Sequence, residues 1–180
     1  MTDVPARLPF ASEEGATAEL LRARRGGQLS ALDRLLLHSP PVAEGWNALL
    51  GALRSGTTLP DDLRELVILR VAVLNGAAFE WTAHEPIARR AGLDDGRLAA
   101  LRSPDAAGFP GWTPVQLAVL GFTDASTTAV TVPESVFAAL REHLDDRQVV
   151  EVVTTVGGYA MVSRFLVALE VPPPEGEVAG

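Results

Sequence analysis

The 180-residue sequence contains no cysteine and no lysine. The absence of thiols excludes disulfides, cysteine-ligated zinc or iron–sulfur clusters, and catalysis by a thiolate. The absence of lysine excludes Schiff-base chemistry at a lysine amine. All fifteen basic residues are arginine, and 23 acidic residues give a net charge of −8. This acidic balance predicts no nucleic-acid partner and no anionic membrane partner, because both bind clustered cations.

Long hydrophobic runs are also missing. The most apolar stretch, residues 66–74, is far too short to span a bilayer and contains Arg70. The first fifteen residues lack the basic and then apolar pattern of a signal peptide. We therefore expect a cytoplasmic protein without a membrane partner.

Alternating strand patterns are scarce, and proline and glycine divide the chain into segments of helical length. The single strand-like run, residues 127–132, is short enough to be a linker. The sequence predicts an all-α fold, with an N-terminal arm at 1–15, one helical domain at 16–171 and a C-terminal tail at 172–180. The predicted helices cover residues 16–25, 29–38, 42–54, 60–75, 79–90, 94–102, 114–125, 134–144 and 147–171.

Two segments, 66–74 and 149–169, are apolar on most helical faces, which predicts burial on more than one side. A bundle core and contact between subunits explain this pattern equally well. Gly157 and Gly158 lie inside the second segment, where glycine disfavours a helix by about 1 kcal/mol relative to alanine. They predict a kink or a close approach of another element.

Glu80 and His84 are four residues apart on one predicted helix, so their side chains share a face. A carboxylate that holds one imidazole nitrogen leaves the other free to exchange protons near neutral pH. The same spacing also occurs in surface pairs that contribute a few tenths of a kcal/mol. On spacing alone, the surface pair is favoured.

Arg70 lies in a hydrophobic helix and needs a carboxylate partner, since an unpaired buried charge costs several kcal/mol. Glu65, Glu80 and Glu151 are the candidates. Arg70 is then either one half of a buried ion pair or a cation that binds an anionic substrate.

Aromatic residues extend the candidate site. Tyr159, the only tyrosine, lies on the last hydrophobic helix with Arg164, and either packs in the core or lines a pocket. Trp81 either covers the pocket or anchors its helix. The sequence has no GxGxxG, P-loop, HExxH or GxSxG motif. We expect no cofactor and no metal, although a metal site on the acidic and histidine residues stays a minor alternative.

The segments HSPPVAEGW and LPDDLRELVILRVAVLNGAAFEWTAHEPIARRAGL resemble the carboxymuconolactone decarboxylase family of the alkyl hydroperoxidase D-like superfamily. The likeness covers about residues 35–171 and is densest over 65–92. The resemblance implies an AhpD-like helical bundle that assembles as a homo-oligomer, such as a trimer or hexamer, with active sites near subunit contacts.

The peroxidase branch of this superfamily carries a CxxCxxxH motif and an upstream glutamate. The resemblance places its cysteines at Ala77 and Glu80, its histidine at His84 and its glutamate at Glu65. Because both sulfurs are absent, thiol peroxidase activity is excluded. The decarboxylase branch keeps ExxxH, which Glu80 and His84 match. Many relatives have Tyr-Asn in the last helix, whereas here Ala160 follows Tyr159.

The sequence and the resemblance together predict a cofactor-free decarboxylase or other lyase acting on a small, enolisable, anionic molecule such as a lactone. His84 is the predicted acid/base, Glu80 its orienting partner, and Glu65 a third catalytic residue that positions the histidine or Arg70. Arg70, Trp81, Tyr159 and Arg164 are the predicted substrate-binding residues. The alternatives are an isomerase, dehydratase or cyclase with the same Glu-His site, or a non-catalytic scaffold.

Overall fold

The computed structural model describes residues 6–174 and is all-helical over that range. Its helices are α1 (Ala16–Arg25), α2 (Ala31–Leu36), α3 (Pro40–Ser55), α4 (Asp61–Leu74), α5 (Ala78–Arg90), α6 (Asp95–Arg102), α7 (Pro114–Ala129), α8 (Glu134–Arg141) and α9 (Asp146–Ala168). The predicted all-α class is therefore confirmed, and most helix boundaries fall within a few residues of those expected.

Two boundaries differ from the prediction for clear physical reasons. Pro40 and Pro41 begin α3 instead of breaking the chain before it, because the first positions of a helix need no amide donor. Helix α7 continues to Ala129, so half of the strand-like run at 127–132 is helical. Val130 ends α7 with a positive φ of 63°.

Helix α4 is the central helix of the bundle and packs against α5, α6, α7 and α9. Every residue from Leu63 to Ala72 is buried. Burial within one chain therefore accounts for the hydrophobicity of this helix, without a subunit contact.

Helix α9 is one continuous helix that also contributes to the core. A Cβ added at Gly158 would lie 2.9 Å from Cδ1 of Leu53, whereas one added at Gly157 would meet no atom within 4 Å. The expected close approach thus occurs at Gly158, against α3. The helix is long and apolar enough to cross a membrane, but 56% of its most apolar window is buried inside the protein. Its exposed apolar side chains are Val150, Val153, Met161 and Val167.

The N-terminal arm has no helix from residue 6 to residue 14 and lies along the bundle. The amide of Arg7 donates to the carbonyl of Leu169 at 2.8 Å, and the amide of Ala11 donates to the carbonyl of Arg34 at 3.2 Å. Ala6 is buried in the core, which the sequence did not predict. The remainder of the predicted arm, 1–5, and most of the predicted tail, 175–180, lie outside the described residues.

Candidate active site

The packing of α4 against α5 brings three of the predicted residues together. Nδ1 of His84 donates to Oε2 of Glu65 at 2.8 Å, and Nε2 of His84 lies 3.4 Å from Oε2 of Glu80. All three residues are buried, with 2% of Glu65, 4% of Glu80 and 7% of His84 exposed. The imidazole therefore lies between two carboxyl groups that are largely shielded from bulk water.

The geometry places Glu65 against the histidine, one of the two partners predicted for it, and differs from the predicted role of Glu80. The sequence predicted that Glu80 holds the ring, but the shorter contact comes from Glu65 on the preceding helix. A carboxylate that accepts from Nδ1–H fixes the ring orientation and places the reactive lone pair or proton at Nε2. Glu65 thus has the position of the orienting residue, and Glu80 has that of a second proton-exchanging group.

A cavity of about 50 Å³ lies beside this cluster, between α1, α3, α5 and α9. It is small compared with typical ligand pockets, which occupy several hundred Å³. Its walls are formed by Arg25, Leu32, Trp46, Leu50, Arg54, Phe79, Glu80, Ala83, His84, Tyr159 and Val162. Of the predicted site residues, Glu80, His84 and Tyr159 reach the cavity, whereas Glu65 holds His84 from outside the cavity wall.

Tyr159 packs against the imidazole of His84. The two rings are edge-on to each other, with 5.3 Å between centroids. The hydroxyl of Tyr159 is buried and has no hydrogen-bond partner of good geometry among residues 6–174. Burial raises the pKa of Tyr159, against the opposing charge of the nearby Arg54, so the phenol stays neutral. Buried hydroxyls are almost always hydrogen-bonded, and this one is available to a ligand.

Burial also raises the pKa of Glu80, despite the opposing charges of His84, Arg54 and Arg25. The protonated form of this carboxyl group is therefore favoured at a higher pH than usual. A carboxylic acid kept protonated next to a cavity can donate a proton to a bound molecule.

Arg70 does not lie at this cavity, which corrects its predicted role in substrate binding. Its Nε and Nη2 donate to the two carboxylate oxygens of Asp124 at 2.6 and 2.9 Å. Its Nη1 donates to the carbonyls of Leu101 and Ser103, both at 2.8 Å. Arg70 thus forms the buried ion pair that the sequence left open, but with a partner outside the three candidates.

Trp81 and Arg164 are also placed away from the cavity. The Trp81 indole N–H donates to Glu85 at 2.8 Å, and the guanidinium of Arg102 stacks on the ring at 3.8 Å. Trp81 therefore anchors α5 on another side and does not cover the cavity. Arg164 is exposed to solvent and is absent from the cavity wall.

Sequence reasoning missed the two arginines of the cavity, Arg25 and Arg54. A usable signal was present, because Trp46, Leu50 and Arg54 are spaced four residues apart and share one face of α3. Within residues 6–174 no group of three or more histidine, aspartate or glutamate side chains has a geometry suited to a metal ion.

Comparisons with known proteins agree on the family and the fold. Residues 40–131 match the model of the carboxymuconolactone decarboxylase family. The uncharacterized protein YdfG of Bacillus subtilis (strain 168) is 29% identical over 108 residues, which span 59% of this chain and 72% of YdfG.

Solved structures with the same fold include an uncharacterized peroxidase-related protein from Ralstonia eutropha JMP134, described as an alkylhydroperoxidase AhpD core. It has a TM-score of 0.81 and 19% identity, with coverage of 94% of this chain and 93% of that one. The debrominase Bmp8, solved in complex with 2,3,4-tribromopyrrole as a cysteine-to-alanine variant, has a TM-score of 0.73 and 16% identity, with coverage of 87% and 84%. The fold is therefore AhpD-like, and the chain, with its Glu-His cluster and no cysteine, belongs to the carboxymuconolactone decarboxylase family.

Proposed function

We propose that the protein is a cofactor-independent lyase that transfers a proton to or from a small enolisable molecule. The observation that carries this proposal is the position of His84, which is held at Nδ1 by Glu65 and borders a cavity together with Glu80. A carboxyl group whose pKa is raised by burial and an imidazole lie at the same wall, where they can serve as donor and acceptor for protons.

The specific reaction that we propose is the loss of carbon dioxide from a carboxylated unsaturated lactone, as in the family's named reaction. The bond between the carboxylate carbon and the ring breaks, and its electron pair enters a conjugated enolate. Glu80 or Nε2 of His84 then delivers one proton to carbon, and the donor is reprotonated from solvent. Positioned proton transfer of this kind contributes about 10²–10⁴-fold to the rate.

The surroundings of the cluster support this chemistry. Leu50, Phe79 and Val162 form an apolar wall of the cavity, and a water-poor site strengthens electrostatic interactions with a developing enolate. The ligand of the debrominase Bmp8 in its solved complex is likewise a small unsaturated ring. A thiol-dependent reaction is excluded for this chain because its sequence has no cysteine.

A different proton-transfer reaction at the same residues is the second candidate. An isomerase, dehydratase or cyclase needs the same donor and acceptor, and Ala160 replaces the asparagine expected beside Tyr159. The remaining alternative, a non-catalytic scaffold, predicts no turnover of any enolisable acid.

Two further expectations stay predictions, namely a cytoplasmic location and assembly as a homo-oligomeric trimer or hexamer. The exposed apolar side chains of α9, Val150, Val153, Met161 and Val167, are consistent with a subunit contact there. Sedimentation velocity of the purified protein measures the oligomeric state directly.

The direct test is release of carbon dioxide from carboxymuconolactone, together with incorporation of solvent deuterium into the product. We expect His84→Ala and Glu80→Gln to reduce the rate about 10²–10⁴-fold, and Glu65→Gln to reduce it as well. His143→Ala and Glu85→Gln are matched controls, because His143 is exposed and Glu85 lies outside the cavity wall.

If the wild type turns over the lactone and the His84 and Glu80 variants do so at the same rate, neither residue takes part in the reaction. If the wild type releases no carbon dioxide but exchanges deuterium into other enolisable acids, the second candidate replaces the lyase.

A further inference from the structure

Arg54 differs from the other buried or half-buried arginines of residues 6–174, because its guanidinium forms no ion pair there. Its Nε is buried without a hydrogen bond, although the side chain borders the cavity. A guanidinium has five N–H donors and pairs readily with a carboxylate in a two-point contact. A guanidinium without a carboxylate at a cavity wall is therefore a site for an anion.

The charges around Arg54 add to this positive potential. Arg24 and Arg25 lie nearby on α1, and both contact one carboxylate, that of Asp33, at 3.1 and 2.7 Å. Burial, Arg25 and Arg54 together lower the pKa of Arg24, so the three guanidinium groups act on one another. Three cations thus lie near the ion-paired carboxylate of Asp33 and near Glu80, whose pKa is raised by burial, in a protein whose net charge is −8.

The buried Tyr159 hydroxyl, which lies next to the Arg54 guanidinium, is a second sign of a ligand. It has no well-formed hydrogen bond to any described residue, and it lies at the same cavity as Arg54 and Arg25. The Tyr159 hydroxyl and Nε of the Arg54 guanidinium are both donors without an acceptor within residues 6–174. A carboxylate has two oxygens and can accept a hydrogen bond from each of them.

We propose that Arg54, with Arg25 and the Tyr159 hydroxyl, forms the subsite that binds a carboxylate of the substrate. The inference rests on the proposed function, because it takes the cavity to be the active site. Arg54 thereby takes the role that the sequence assigned to Arg70.

The proposal also fixes which carboxylate is bound. A carboxylate paired with a guanidinium is stabilised in the ground state, which raises the barrier to its loss as carbon dioxide. The group at Arg54 is therefore retained in the product. A departing carboxylate is therefore a second group, which does not pair with Arg54.

Access to the cavity fits this arrangement. Arg25 is exposed, Arg54 and Ala83 are partly exposed, and the other wall residues are buried. A solute that enters therefore passes the two arginine side chains, which favour an anion over a neutral molecule.

The test compares crotonate, a small unsaturated carboxylate, with crotonamide, its neutral isostere. Binding to the full chain is followed by NMR of the arginine Nε–H and tryptophan indole signals. We expect the wild type to bind crotonate roughly tenfold or more tightly than crotonamide, as expected for hydrogen bonds to a charged group. In Arg54→Gln this preference disappears, and in Arg54→Lys it is reduced.

Arg90→Gln is the control, since Arg90 is exposed and absent from the cavity wall. Thermal unfolding of each variant verifies that it is folded before binding is compared. The proposal is overturned if crotonate shows no saturable binding, if crotonamide binds as tightly, or if folded Arg54→Gln keeps the preference. Shifts confined to the Trp81 and Arg102 signals also overturn it.

These outcomes are separable from those of the proposed function. Selective crotonate binding without any turnover supports the anion site and contradicts the lyase. Turnover that depends on His84, together with equal binding of acid and amide, supports the enzyme and contradicts the role of Arg54.

Discussion

Arg70 and Arg54 occupy two regions of the same bundle and have opposite surroundings. Arg70, whose side chain is 3% exposed, binds both oxygens of Asp124 and two main-chain carbonyls. Arg54 borders a cavity and has no carboxylate partner among the described residues. The difference shows that hydrogen-bond satisfaction, and not burial or hydrophobic surroundings, separates a structural arginine from one available to a ligand.

The same contrast extends to the carboxyl groups of the two regions. Asp124 is bound at both oxygens by one guanidinium, as is typical of a strong structural pair. Glu80 has only a 3.4 Å contact with His84, and burial raises its pKa. The hydrogen bonds of Arg70 hold α4 against α7 and the end of α6. At the cavity, Nε of Arg54 and the Tyr159 hydroxyl have no such partners among the described residues.

The largest predicted effect is the loss of stability in Arg70→Gln. This change leaves Asp124 and two carbonyls without their donors, and breaking a buried pair from one side costs about 3–5 kcal/mol. Because the side chain of Asp124 is 33% exposed, we expect a loss of about 3 kcal/mol, at the lower end of that range. Arg54→Gln removes no pair, and we expect about 0.5 kcal/mol or less. Urea unfolding of both variants measures the difference, and equal losses would contradict the assignment of Arg70 alone as a structural ion pair.

An intermediate effect is predicted for the pH dependence of stability at Glu80. Because the native pKa of Glu80 is raised above 4.5, the folded state releases this proton at a higher pH than the unfolded chain does. The free energy of unfolding therefore falls as the pH rises from 4.5 to the native pKa. The loss is about 1.4 kcal/mol for each pH unit that separates the native and unfolded pKa values. Glu80→Gln lacks this loss and gains stability relative to the wild type as the pH rises.

Glu85 on the same helix is the matched control, with the opposite sign. Burial favours a raised pKa for Glu85, but hydrogen bonds from Arg89 and Trp81 outweigh it and lower the pKa. Its stabilising contribution is present above pH 4.5 and is lost as the pH falls through the lowered native pKa. Glu85→Gln should therefore lose stability at neutral pH, as measured by urea unfolding at several pH values. The same trend in both variants would contradict the assigned environments.

The smallest predicted effect concerns the two glycines before Tyr159. Gly157→Ala adds a methyl group in open space on α9, and we expect a gain of about 1 kcal/mol from helix propensity. Gly158→Ala places a Cβ 2.9 Å from Leu53, the residue before Arg54, so displacement of Leu53 offsets that gain. Thermal unfolding compares the two variants, and equal stabilisation would show that the packing between α3 and α9 is looser than described.

Local sequence patterns predicted the helices and the shared face of Glu80 and His84, because both depend on residues within one or two turns. The same spacing favoured a surface pair, which is wrong, since both residues are buried by the packing of other helices. The resemblance added Glu65, although its contact with Nδ1 requires the packing of α4 against α5, which no local pattern encodes. Arg70 needed a partner by general electrostatics, yet Asp124 is 54 residues later in the chain and only the three-dimensional fold brings it close.

Arg54 illustrates a different limit of sequence reasoning. An arginine in the last turn of an amphipathic helix has the pattern of a solvated cation that favours the helix dipole. Its value as a ligand site depends on Arg25 from α1 and Tyr159 from α9, which come from distant parts of the chain. Trp81 was predicted to bind substrate because it is next to Glu80 in the sequence, but its side chain does not line the cavity.

Helix α4 carries both Glu65 and Arg70, five residues apart. The ion pair between Arg70 and Asp124 fixes the rotation and axial position of α4. The Glu65 carboxylate, which orients the His84 ring, is on the same helix and moves with it. Under the proposed function, we expect a substitution at Asp124 on α7 to change the rate of proton transfer by moving Glu65, although Asp124 is not part of the cavity wall. Directed evolution aimed at new substrates should find useful changes along the junction of α4 and α7, remote from any bound molecule.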